Sequence, residues 1–171
     1  MTAVTLRPEQ PGDEAVIHAL TEEAFAPMPF SEGDEPDLID ALRADGDLTL
    51  SLVAEDSSGI IGHIAFSPLR IADGTQDWYG LGPVSVTPKL QRTGIGGMLI
   101  NRGIADMRTR GAKGIALLGS NEYYPRFGFE HDPELTYPGP PPEFFQRLIL
   151  EGDAPKGIVR FAPAFEANSA N

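Results

Sequence analysis

Residues 84–97 read VSVTPKLQRTGIGG, an apolar strand that runs into a glycine-rich turn and then into the start of a helix. A chain without side chains at Gly94, Gly96 and Gly97 can aim several backbone N–H groups at one phosphate, with a helix N-terminus behind them. The layout predicts a site for a phosphorylated cofactor, and spacing narrows which one. A dinucleotide fingerprint needs a third glycine where Leu99 stands and an acidic residue about 20 positions on, and neither is present. A nucleoside-triphosphate loop would end in Gly-Lys-Ser/Thr, whereas this turn closes on Gly97-Met98-Leu99.

Charge agrees with an anion site at this place. The chain carries a net charge of −12, which argues against general nucleic-acid binding. Residues 1–85 hold 3 basic and 16 acidic side chains, whereas 86–113 hold Lys89, Arg92, Arg102, Arg108, Arg110 and Lys113 against Asp106 alone. Lys89 or Arg92 is the cation expected to approach a phosphate, and the other arginines are expected to solvate a helix face.

The rest of the chain reads outward from that stretch as one domain, residues 1–166, with 167–171 expected to be disordered. Val4 to Arg7 reads as a strand. Asp13 can cap a helix whose Val16, Ile17, Leu20 and Ala24 share a face. Phe25 to Glu35 reads as a loop, Pro36 to Arg43 as a helix ended by Gly46, and Leu48 to Ala54 with Ile60 to Ile71 as an antiparallel hairpin. Leu81 to Val86 is a strand, and Gly94 to Arg110 a helix with Ile95, Met98, Leu99 and Ile104 inward. Gly114 to Leu118 is a buried parallel strand, Glu143 to Leu150 a short helix or a strand, and Gly157 to Phe161 a final strand. Together these elements predict an α/β fold of the α+β kind. Its central mixed sheet is mostly antiparallel with one parallel pair, and helices cover both faces.

No cysteine is present, which excludes disulfides and an acyl-cysteine intermediate. His18, His63 and His131 lack ligand spacing, so no metal is expected. No signal region or membrane-length apolar run is seen, and a cytoplasmic protein without membrane or nucleic-acid partners is the expectation. A homodimer is compatible with this pattern.

Gln91-Arg92-Thr93-Gly94-Ile95-Gly96 resembles the Q/R-x-x-G-x-G/A signature of the GCN5-related N-acetyltransferases. Asn121, followed by Tyr123-Tyr124-Pro125-Arg126-Phe127-Gly128-Phe129, is similar to that family's second motif. The wording IIGHIAFSP, LGPVSVTP and QRTGIG resembles its YhbS-like subgroup of small bacterial acetyltransferases. The resemblance implies acetyl-coenzyme A as co-substrate and direct acetyl transfer to the amine of a small molecule, a peptide or a protein. Alternatively, the fold serves as a non-catalytic acyl-coenzyme A sensor or partner-binding module.

On that resemblance Gln91, Arg92, Thr93, Gly94, Ile95, Gly96 and Gly97 hold the pyrophosphate. Val84, Ser85 and Val86 offer main-chain groups to the pantetheine arm, one of them polarising the thioester carbonyl. Tyr124 sits at the family's tyrosine position as the general acid for the departing thiolate, with a packing role as the plain alternative, and Tyr123 reads as structural. Asn121 either bonds the pantetheine or caps a helix. His63, Glu22, Glu23, Asp77 and Glu122 are candidate bases without a motif behind them; His63, amid Ile60, Ile61, Ile64 and Phe66, reads first as a satisfied half-buried strand residue, and Ser85 lacks the partners of a nucleophile. Glu32, Asp34, Glu35 and Asp37 could attract a cationic amine or merely form an acidic surface. Phe25, Met28, Phe30 and Trp78 could line an apolar pocket or close a core.

Overall fold

The computed structural model describes residues 3–28, 31 and 33–167. In chain order the elements are β1 (Thr5–Pro8), α1 (Glu14–Phe25), α2 (Glu35–Asp45), β2 (Leu50–Asp56), β3 (Gly59–Pro68), β4 (Arg70–Ile71), β5 (Trp78–Val86), α3 (Ile95–Thr109), β6 (Gly114–Leu118), β7 (Leu135–Thr136), β8 (Phe145–Ile149), β9 (Gly157–Arg160) and α4 (Pro163–Ala167). Phe30 and Glu32 lie outside the described residues, as do residues 168–171 of the tail expected at 167–171; Ala167 ends α4.

The main sheet has the order β1-β2-β3-β5-β6-β8. Its neighbours are antiparallel except β5 and β6, the one parallel pair expected for it. β9 falls on the final strand expected at Gly157 to Phe161, but the second sheet it joins, β4-β9-β7, was not foreseen. Its other two strands span two residues each, too few for alternation to register, and the sheet carries a second parallel pair, β7 with β9. Glu143 to Leu150 resolves as a helical turn at Pro142–Phe144 and then β8, because the edge of β6 pairs Leu118 with Phe145 and Gly114 with Ile149.

One face of the sheet packs Leu52, Ile61, Ile64 and Phe66 against Ile95, Leu99, Ile100, Ile104 and Met107 of α3. The other packs Val53 against Ile17 of α1 and Ile39 of α2. The helical phase turns Met98 and Val16 outward, 41% and 46% exposed, against the expectation for both. Asp13 precedes α1 but its side chain does not cap it. Its carboxylate instead accepts from Arg7 at 2.8 Å and from the Gln10 N–H at 2.7 Å, closing the β1–α1 turn.

What positions the site is where β5 and β6 stop pairing. Their ladder covers only Trp78–Gly114, Tyr79–Ile115 and Gly80–Ala116, although β5 continues to Val86 and β6 to Leu118. A register shift in the β3–β5 ladder sets three residue steps, Leu81 to Val84, against two, Phe66 to Ile64, and so bends β5. The two strands splay into a wedge. The closed end of the wedge needs glycine: a Cβ at Gly114 would come within 2.2 Å of the Trp78 ring. Gly114→Ala is expected to destabilise the protein by about 1–3 kcal/mol through overpacking. Urea unfolding followed by fluorescence of Trp78, the sole tryptophan, measures this, and an unchanged midpoint would refute it.

Candidate functional site

The turn between β5 and α3 builds a cradle from the backbone. Pro88–Leu90 form one helical turn, and the Gln91 amide donates to the Val86 carbonyl at 3.1 Å. The Thr93 hydroxyl donates back to the Leu90 carbonyl, so its side chain ties the loop together. Arg92 and Gly94 both adopt positive φ, +66° and +97°. At Gly94 a Cβ would meet nothing within 4 Å, so glycine is required there by conformation and not by space.

Gly96 and Gly97 follow a different logic. A Cβ at either would meet Val86, Tyr123 or Phe127 no closer than 3.8 Å, so the protein's own packing tolerates alanine. Glycine within a helix costs about 1 kcal/mol relative to alanine, and here that cost leaves backbone N–H groups open to an approaching group. α3 has no acidic residue in its first turn and no side-chain cap. The cavity in front of it, about 660 Å³, is lined by Val86, Gln91, Arg92, Tyr123, Arg126 and Phe127 among others. A phosphate fits this donor set, with two arginines, three free N–H groups and a positive helix end.

Of the expected cofactor-binding residues, Ile95 and Ser85 turn their side chains away from the cradle. The Ile95 side chain is buried and packs towards Gly62. Ser85 is buried, its hydroxyl 3.4 Å from Thr21. The Thr87 N–H bonds Ile61, so alternation along the ladder turns the peptide groups of Ser85 towards β3 and those of Val84 and Val86 towards the wedge. Both the side chain and the main chain of Ser85 therefore face away from the wedge. In the basic island, Arg102 pairs with Asp106 at 3.1 Å and Arg110 donates to the Thr49 carbonyl. Arg92 lines the cradle; Lys89 stands on the preceding turn, outside its wall.

After β6 the chain turns on Ser120, whose hydroxyl accepts the N–H groups of Glu122 and Tyr123 at 3.2 and 3.1 Å. Ser120 thus takes the capping role considered for Asn121, which stands exposed on the turn. The following helical turn, Tyr124–Phe127, splits two neighbouring tyrosines between two cavities. Tyr123, read as structural, lines the cradle, and Arg126 stacks 4.4 Å over its ring. Arg126 and Phe127 were missed as cradle residues; the available signal was their spacing of three and four from Tyr123.

Tyr124 faces the second cavity, about 550 Å³, which contains the wedge residues Val84, Leu118 and Gly119. Its ring fills the space a Cβ at Gly119 would take and meets Phe129 edge-on at 6.1 Å. Burial pushes its phenol up to about 12, with Tyr123 adding to the shift. Val84 and Val86 lie two residues apart on one face, so the two cavities adjoin along β5 at about 7 Å spacing.

The candidate bases fall elsewhere. Glu22 and Glu23 are exposed on α1, Asp77 lies at the far end of β5, and Glu122 is exposed beside Tyr123. Trp78 is buried in a separate core and lines neither cavity, whereas Phe25, Met28, Asp34 and Glu35 do line the second.

His63 is fully buried. The Ser51 hydroxyl donates to Glu9 at 2.8 Å and so accepts from His63 Nε2–H at 2.7 Å, leaving Nδ1 as the bare nitrogen, without a partner among the described residues. Burial lowers its pKa to about 4. A depressed histidine binds its proton more readily unfolded, so its contribution is complete above pH 6.5 and disappears as pH falls towards 4, about 3 kcal/mol in all. Urea unfolding at pH 4.5 and 7 is expected to show that loss in the parent and a clearly smaller one in His63→Gln. Equal losses would mean that His63 does not set the slope.

Comparison with known proteins adds three findings. The family model described as "Acetyltransferase (GNAT) family" matches residues 14–129. The chain is 36% identical over 160 residues to the uncharacterized N-acetyltransferase YhbS of Escherichia coli K12, covering 90% of this chain and 92% of that protein. Among solved structures, a GNAT family acetyltransferase from Brucella melitensis in complex with acetyl-CoA superimposes with a TM-score of 0.85 at 46% identity, covering 95% of this chain and 98% of that one. E. coli YhbS in complex with CoA gives 0.87 at 32% identity, covering 97% and 93%.

Proposed function

The chain belongs to the acetyltransferase (GNAT) family, and on that premise we propose that it transfers the acetyl group of acetyl-coenzyme A directly to a primary amine of a small molecule, peptide or protein. The observation that carries this reading is the pair of adjoining cavities along β5, one shaped for an anion at the start of α3 and the other bearing Tyr124. When bound, acetyl-coenzyme A supplies an acyl carbon activated as a thioester.

In this reading the N–H groups of Ile95, Gly96 and Gly97, with Arg92 and Arg126, hold the pyrophosphate. The Gln91 amide braces the loop through Val86. The peptide groups of Val84 and Val86 that face the wedge pair with the arm, and their donors polarise the reacting carbonyl. Asn121 is a further contact to the arm. Fixing the remote phosphates in this way converts binding into orientation at the reacting carbon. Tyr124 delivers a proton to the leaving sulfur. Among the described residues neither cavity wall carries a histidine, so the amine sheds its proton through water or a wall carboxylate.

Release of thiol from acetyl-coenzyme A over a panel of amines tests the proposal. Amine-dependent release is expected. Tight coenzyme binding with no release on any amine would make the protein a sensor and overturn it.

A further inference from the structure

The lining of the second cavity combines two chemistries. Asp34 and Glu35, at the start of α2, are its charged lining residues among the described residues, which place no lysine or arginine in that lining. No Lys or Arg occurs anywhere from Pro8 to Leu42. Asp34 leaves the helix end uncapped, so its carboxylate is not spent on the backbone, and Glu35 accepts from Ser31. The same cavity is lined by Tyr137, Phe161 and Phe165, of which Phe165 packs on the Leu38 cluster of α2. Phe161 meets Tyr137 at 5.0 Å and Phe165 at 5.3 Å, ring centre to ring centre, so the three rings make one continuous wall. Met28 and Leu38 complete an apolar lining.

An apolar cavity with two carboxylates and no cation selects a cation on an apolar body. Polyamines and polar amines leave the part-exposed rings of Tyr137 and Phe165 facing water, and a protein lysine presents an alkyl chain but no ring to stack on this wall. We propose that the acceptor is an arylalkylamine, its ammonium drawn to Asp34 and Glu35 and its ring set against Tyr137, Phe161 and Phe165, a substrate class that rests on the acetyltransferase reading above.

The reaction balances within the two cavities. The ammonium loses one proton to solvent, its nitrogen lone pair forms the C–N bond, and the C–S bond breaks with its electron pair going to sulfur. Sulfur takes the Tyr124 proton, and the second proton shed by nitrogen restores the phenol. The products are the N-acetyl amine, free thiol and one proton.

The test is thiol release at saturating acetyl-coenzyme A from three sets of acceptor: phenylethylamine and tyramine, then ethanolamine and spermidine, then a lysine-containing peptide. The arylalkylamines are expected to exceed the other sets by about 50-fold or more in kcat/KM, the discrimination that desolvated apolar contacts supply. Asp34→Asn with Glu35→Gln is expected to raise the phenylethylamine KM about 10-fold or more at constant coenzyme Kd. Phe165→Ala, which leaves both acids in place, is expected to raise the phenylethylamine KM but not that of ethanolamine. Release confined to ethanolamine, spermidine or peptide, or an unchanged phenylethylamine KM in both variants, overturns this inference and leaves the acetyltransferase reading standing. Coenzyme binding without release from any set overturns both.

Discussion

Tyr124→Phe is expected to lower kcat by about 100-fold or more while leaving the acetyl-coenzyme A Kd nearly unchanged, the signature of a lost proton donor. The substitution removes one oxygen and keeps the ring that packs on Gly119 and Phe129, so stability barely moves. The size of the effect follows from burial. With the phenol pushed up to about 12, full transfer to a thiolate of ordinary pKa near 8.5 is uphill by about 5 kcal/mol. In the proposed mechanism Tyr124 would therefore work by hydrogen bonding to the sulfur as charge builds, with the transfer completed if the same buried site raises the basicity of the sulfur.

The raised pKa also has a definite sign in the pH profile. The phenol is active when protonated, and its protonated form persists to about pH 12, so tyrosine ionisation takes no activity between pH 7 and 10. Across that range kcat/KM is expected to climb as the acceptor amine loses its proton. A fall centred at pH 9–10 in the parent that disappears in Tyr124→Phe would contradict the burial-set pKa. An unchanged kcat in the variant would leave Tyr124 a packing residue.

Gly96→Glu is expected to move two readouts in opposite directions. The side chain meets no protein atom closer than 3.8 Å at its Cβ, and a carboxylate in the first turn of α3 favours the helix by about 0.3–1 kcal/mol. The melting temperature therefore stays or rises. The same carboxylate occupies the anion cradle and repels the coenzyme phosphates, so the acetyl-coenzyme A Kd is expected to rise about 100-fold or more, as when a charge-assisted contact becomes a like-charge one. Gly96→Ala, which adds only a methyl group, separates charge from bulk and should lose far less. Calorimetric titration with acetyl-coenzyme A decides the matter. Retained affinity in Gly96→Glu would move the phosphate site away from the start of α3.

The fold was legible wherever a pattern ran long enough in one stretch of chain. The β2–β3 hairpin, α3 with its glycine start, and parallel β6 were each marked by periodicity or punctuation over five or more residues. β9 was marked as a final strand, but β7 and the pairing of β4, β9 and β7 left no such trace, because strands of two residues are defined by their partners. Met98 and Val16 were misplaced for a related reason: an apolar residue at a face boundary is buried or exposed according to which neighbour covers it. At the site, Ser120 displaced Asn121 as the cap, and Tyr123 proved to line the cradle, since a turn of one residue more or less re-aims every side chain after it. His63, amid apolar neighbours, sits as a buried strand residue, and what its own stretch could not show is its hydrogen-bond partner Ser51, on the adjacent strand of the hairpin, itself held by Glu9.

The contiguous residues 84–97 by themselves determined the donor half of the chemistry. Backbone N–H groups and a helix start are local objects, and glycines at 94, 96 and 97 specify them within a few residues. Tertiary structure alone assembled the second cavity, to which the acceptor is proposed to bind. The wedge arises where β5 parts from β6, the carboxylates come from the start of α2, and the aromatic wall comes from residues more than 100 positions later. No local pattern links such segments, because what brings them together is the burial of rings and strand edges across the whole domain.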